Sequence, residues 1–221
     1  VFMHRPVNPR HHHRLNGGPA MRLRTRVSAR VLTGAIAAAT AVAVTSQPGY
    51  AAPRDYNFTG TTQTTITGLG ADFSFAPTKA TVNGDLDTGV ISSVGITVPE
   101  SRSEFNLFGV LPTHAKVKIT QAGEFKGTMK SGAVDVTGAV NIQITETGHF
   151  GIGIPWPDCK TTKPAQLHLK SQGTFDPTTG GTLTGTYQIP EFAGCLFDTP
   201  IINFLVGGKD NPLTIKLTGQ N

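Results

Sequence analysis

Cysteine, tryptophan and charge are scarce in this chain. Its 221 residues include two cysteines, one tryptophan and only 15% charged side chains. Two cysteines do not make a Cys-rich zinc site, which needs four ligands, and there is no second pair. Reactive motifs are missing too. No Gly-x-Ser-x-Gly elbow presents a nucleophile, and there is no Walker loop, paired-glycine dinucleotide motif or His-Glu-x-x-His zinc spacing. Acidic residues are absent until Asp55. Seven of the 19 Lys and Arg residues lie before residue 52, so positions 52–221 carry 12 bases against 14 acids, a formal charge of −2. The basic character of the whole chain therefore belongs to its leader. It gives no reason to expect nucleic acid as a partner.

That leader has recognisable parts. From Met21 it reads as a secretory signal peptide over residues 21–51: Arg22, Arg24, Arg26 and Arg30, then an uncharged small-residue run over 31–44, then small residues at Gly49 and Ala51 before a cleavage point. The apolar run is shorter than the ~20 residues that span a bilayer, so no stable membrane span is expected after cleavage. Residues 1–20 carry Pro, Arg and His11-His12-His13. They read as an upstream over-extension of the frame, disordered. Residues 52–221 are then a single mature domain, long enough to bury one core.

Through that domain the pattern is period two. Leu69, Ala71, Phe73 and Phe75 share one face, and so do Val90, Val94, Ile96 and Val98. The longest run sets Val134, Val136, Val140, Ile142 and Ile144 against Asp135, Thr137, Asn141, Gln143 and Thr145. Strict alternation buries one face of each strand and wets the other, as in antiparallel sheets. Residues 52–57 read as a loose arm. Asn83-Gly84, Ala122-Gly123, Ser131-Gly132 and residues 176–181 read as turns. The fold class is all-β: about ten strands forming an antiparallel β-sandwich or an up-and-down β-barrel, which periodicity does not separate. Residues 199–208 break the pattern. Thr199 as N-cap, Pro200 at the first helical position and Gly207 beyond the end signal a short helix near 200–206, buried as a plug; a buried strand is the rival.

Cys159 and Cys195 are expected to pair, since an exported chain meets an oxidising compartment. Trp156 stands between Pro155 and Pro157, in step with Phe150, Ile152 and Ile154. Either it packs on the disulfide, or it forms an aromatic lip on a ligand surface. No catalytic, cofactor-binding or metal-ligating residue is assigned. His114, His149 and His168 are isolated in sequence. Asp87-Thr88-Gly89 matches the aspartic-protease signature, but that chemistry needs two such carboxylates. The second candidate, Asp198-Thr199, is followed by Pro200 where Gly is required.

The Ala-rich leader with Ala51-Ala52, and the tail GTLTGTYQIPEFAGCLFDTPIINFLVGGKDNPLTIKL over residues 181–217, resemble the uncharacterised secreted all-β proteins of actinomycetes. That resemblance implies no catalytic residues. The sequence therefore points to a secreted, extracellular or cell-envelope-associated domain, not an enzyme and without a cofactor, that binds a cell-envelope component or serves as structure. The alternative is a carrier for a hydrophobic small molecule such as a lipid, with Phe73, Phe75, Phe105, Leu107, Phe125 and Met129 lining a cavity instead of filling a core. An extracellular hydrolase would need His114 or His149 to meet an acid and a nucleophile.

Overall fold

The computed structural model describes residues 52–220. The segments read as an over-extension (1–20) and as a signal peptide (21–51) lie outside the described residues. In chain order the elements are β1 (Arg54–Ile66), β2 (Ala71–Asp85), β3 (Val90–Thr97), β4 (Ser101–Leu107), β5 (Leu111–Gln121), β6 (Phe125–Lys130), β7 (Ala133–His149), β8 (Ile152–Pro155), β9 (Lys160–Thr161), β10 (Ala165–Asp176), β11 (Gly180–Gln188), β12 (Phe192–Ala193), a 3₁₀ turn at Leu196–Asp198, α1 (Thr199–Val206) and β13 (Asp210–Gly219).

The Val134–Ile144 alternation becomes β7, the longest strand, with Val134, Val136, Val140, Ile142 and Ile144 all buried. A strand of 17 residues is too long for one neighbour on each side. Along one edge β7 pairs with β6 and then β5; along the other it pairs with β10 and then β9 and β8. The pairs β7–β10 and β1–β13 close the sheet into an antiparallel ring of eight strands: β1, β2, β3, β6, β7, β10, β11 and β13. The sandwich alternative is thereby set aside. Phe58 and Phe175 meet edge-to-face inside the ring at 5.5 Å.

Because neighbours in the ring run antiparallel, its two ends can be told apart. One end carries short turns at 86–89, 131–132 and 177–179. The longer excursions leave from the other end, where the β1–β2 tip also lies: the β4–β5 hairpin, β8 with β9, and β12 with α1.

Several local expectations change. Residues 54–57 are not a loose arm; they open β1 and pair with β2 from Gly84 to Thr81. Asn83-Gly84 lies inside β2 at a register shift. The reversal falls at 86–89, where Asp85 Oδ1 accepts from the Asp87 and Thr88 amides and Gly89 takes φ +70°. In β3, Ile91 is buried and Val90 exposed, because the ladder slips between Ile91 and Val94. One such shift moves a side chain to the opposite face. Residues 199–206 are helical, but only Val206 of α1 is buried, while Phe204 is 78% exposed. The helix is thus one wall of a space and not a plug inside it.

Candidate functional site

At the end that carries the excursions, the strands enclose an apolar cavity of about 600 Å³. Its walls follow from strand parity. Ala115, Val117 and Ile119 of β5 face inward beside Ile142 and Ile144 of β7. Phe73 of β2 and Phe105 of β4 lie 5.8 Å apart and close one side. The N-terminal half of β2 pairs there only with β1, so these rings bridge a gap in the ladder.

Helix α1 is the remaining wall, and its seat is built from backbone. A β-carbon on Gly68 would fall 1.6 Å from the Leu205 carbonyl oxygen, so only glycine lets the β1–β2 tip approach the helix. Asn203 Oδ1 accepts from the Phe192 amide, and Asn203 Nδ2 donates to the Phe192 carbonyl. Lys209 Nζ caps the helix end by donating to the carbonyls of Phe204 and Leu205. Asn211, fully buried, accepts from the Thr67 amide and donates to Lys209 O. Gly68→Ala should therefore push α1 off its seat. The expected loss is about 1–3 kcal/mol on overpacking grounds, with faster amide exchange over residues 199–206 than over β7. Unchanged exchange in α1 would show that the seat is not held at Gly68.

Polar atoms in the cavity wall are few. Tyr187 Oη lies 3.3 Å from Thr64 Oγ1, which donates to Pro212 O. Burial pushes the Tyr187 phenol above its ordinary pKa, and the Thr64 contact pulls it partly back. Thr147 Oγ1 accepts from the Trp156 indole at 2.7 Å. At the rim, Thr113 Oγ1 donates to Leu111 O at 2.9 Å and sits 3.0 Å from His149 Nδ1. Asp198 is the one carboxylate in the lining.

The rim is apolar. Exposed large side chains cluster on the excursions at this end: Phe108 and Val110 after β4, Phe150 with Ile152 and Ile154 around β8, and Leu196, Phe197, Ile201 and Phe204 at the helix. Three of them, Phe108, Ile201 and Phe204, also line the cavity. A second apolar space of about 120 Å³ lies within the ring toward the tight-turn end, beside Phe125 and Met129.

The named sequence positions are distributed as follows. Cys159 and Cys195 form a disulfide, both fully buried. Trp156 is buried against Thr147, while its in-step neighbours Phe150, Ile152 and Ile154 are all exposed, because β8 pairs with β7 alone. Phe73, Phe75, Phe105 and Leu107 line the large cavity, and Phe125 and Met129 the small one. His168 is half exposed and 2.7 Å from Asp135. His114 is buried on the opposite side of β5 from the cavity, with Nε2 3.1 Å from Glu146 Oε1. Lys116 Nζ donates to Glu146 Oε2 at 2.8 Å, and that bond, with His114 adding to it, holds the Glu146 carboxyl below its ordinary pKa. No spacing signals this cluster; it forms because a register shift at Lys116/Val117 sets Lys116 opposite Glu146. His149 and Tyr187 were likewise invisible as lining residues, since each looks like one more strand residue. Among the described residues, no group of three His, Cys, Asp or Glu side chains converges to hold a metal, and no helix is long and apolar enough to cross a membrane.

No family model matches this chain, and no curated protein or solved structure matches it either.

Proposed function

We propose that the mature chain is a secreted, non-catalytic β-barrel that binds a hydrophobic small molecule in the cavity between β2, β4, β5, β7 and α1. The single observation behind this reading is the cavity of about 600 Å³ with apolar walls. Protein interiors are close-packed, with few voids larger than a water. A dry apolar cavity of ~150 Å³ already takes a benzene-sized guest, and ligand sites run to ~300–1,000 Å³. The exposed apolar side chains of the rim continue the walls outward, so an entering molecule meets mainly apolar surface. The leader and the disulfide support an oxidising compartment outside the cell membrane.

A hydrolase reading has less support. The His114–Glu146 pair lies on the face away from the cavity, with His114 buried and Glu146 half-buried, and its described hydrogen bonds include no hydroxyl or thiol.

Native mass spectrometry of gently isolated protein is expected to show a co-purified hydrophobic adduct. Val117→Trp, which fills the space from one wall, should abolish that adduct while the thermal transition remains cooperative. An adduct-free mass for the native protein would overturn the proposal, as would an adduct that persists in a folded Val117→Trp variant.

A further inference from the structure

The polar atoms of the cavity wall narrow the class of molecule it takes. Most are already committed. Thr64 donates to Pro212 O and contacts Tyr187, and Thr147 accepts from Trp156. At the rim the bonding pattern assigns a proton. Thr113 has one hydroxyl hydrogen, and it goes to Leu111 O. Both contacts are hydrogen bonds together only in the tautomer that carries the ring hydrogen on Nδ1, with the Thr113 oxygen accepting from it. In its uncharged form that tautomer leaves Nε2 as a bare acceptor on a residue that lines the cavity, and no described protein group bonds to that atom.

Among the described residues the wall also lacks fixed positive charge. No Lys or Arg is among the lining residues, while Asp198 is. The nearby Lys209 ammonium is taken up by two helix carbonyls, and Lys116 lies on the other face of β5 with Glu146. A carboxylate moved into such a place loses its water without gaining a cation. A hydroxyl loses little, because it can donate to the imidazole.

We infer that the cavity takes an uncharged amphiphile, with its chain between Phe73 and Ile144 and its hydroxyl donating to His149 Nε2, and not a fatty-acid anion. This rests on the cavity reading above. The test measures displacement of a fluorescent alkyl probe from the purified protein at pH 8, where a fatty acid is a carboxylate. Dodecanol is compared with dodecanoate. Dodecanol is expected to bind at least tenfold more tightly. His149→Phe should weaken dodecanol about fivefold with little change for dodecanoate, and His149→Gln, which keeps an acceptor, should restore most of the loss. Equal or tighter binding of dodecanoate would overturn the inference and leave the cavity reading standing, as would a His149→Phe variant that binds dodecanol as well as the parent. If neither compound displaces the probe, or the probe itself does not bind, both the inference and the cavity reading fail.

Discussion

Replacing both Cys159 and Cys195 with alanine is expected to lower the melting temperature by about 8–16 °C. The disulfide spans 36 positions. Closing a loop of that length removes denatured-state entropy worth about 4 kcal/mol. For a domain of this size each kcal/mol moves the transition by ~2–4 °C. The bond also has a local task. It joins the loop between β8 and β9 to the residue before the 3₁₀ turn, where among the described residues β12 otherwise makes just the two-residue ladder Phe192↔Thr161, Ala193↔Lys160. Amide exchange should therefore rise more over residues 190–206 than over β7 or β10. Calorimetry of the double variant checks the first point and hydrogen exchange the second. A fall of less than ~3 °C would mean the denatured chain is not constrained as the loop-entropy argument requires.

Phe125→Ala should cost a similar amount, about 3–5 kcal/mol, the range for a buried aromatic truncated to alanine. Phe125 is 3% exposed. Its ring covers Gly138, where a β-carbon would come within 2.2 Å of the ring carbons. The ring also borders the smaller apolar space of about 120 Å³. Truncation would enlarge an existing void whose walls belong to a closed ring and cannot easily collapse, so the upper half of the range is expected. Denaturant titration should show a lower midpoint with an unchanged slope. A loss below ~1 kcal/mol would mean that the ring yields and refills the site. Both substitutions act on different ends of the molecule. The first should loosen the large cavity, whereas the second should leave probe binding in any surviving folded fraction unchanged.

The strands were legible because alternation is a local property. Val134, Val136 and Val140 announce a half-buried strand whatever lies beside them. The helix at 199–206 was legible through Pro200, whose ring fixes φ in the first turn, and Gly207, which marks the end. The disulfide was legible by count. The slips were those of local reading as well. Val90 and Ile91 exchanged roles at a register shift, and Asn83-Gly84 has the composition of a turn but sits within a strand. His114 meets Glu146 across 32 positions of sequence that carry no motif.

By itself, then, the sequence determined an all-β chain of alternating strands, one short helix and one cysteine pair, because period, capping and count are short-range facts. Only the tertiary structure decided between barrel and sandwich, since that depends on Phe58 meeting Gly219 and Leu169 meeting Val136, partners chosen across long stretches of chain. The tertiary structure alone also separated core from cavity. Ile144 beside open space and Val140 beside packed neighbours obey the same hydrophobic rule and look alike in a sequence. The space between them is set by how far apart the strands and α1 are held, at Gly68 and at the disulfide, and no residue type encodes that distance.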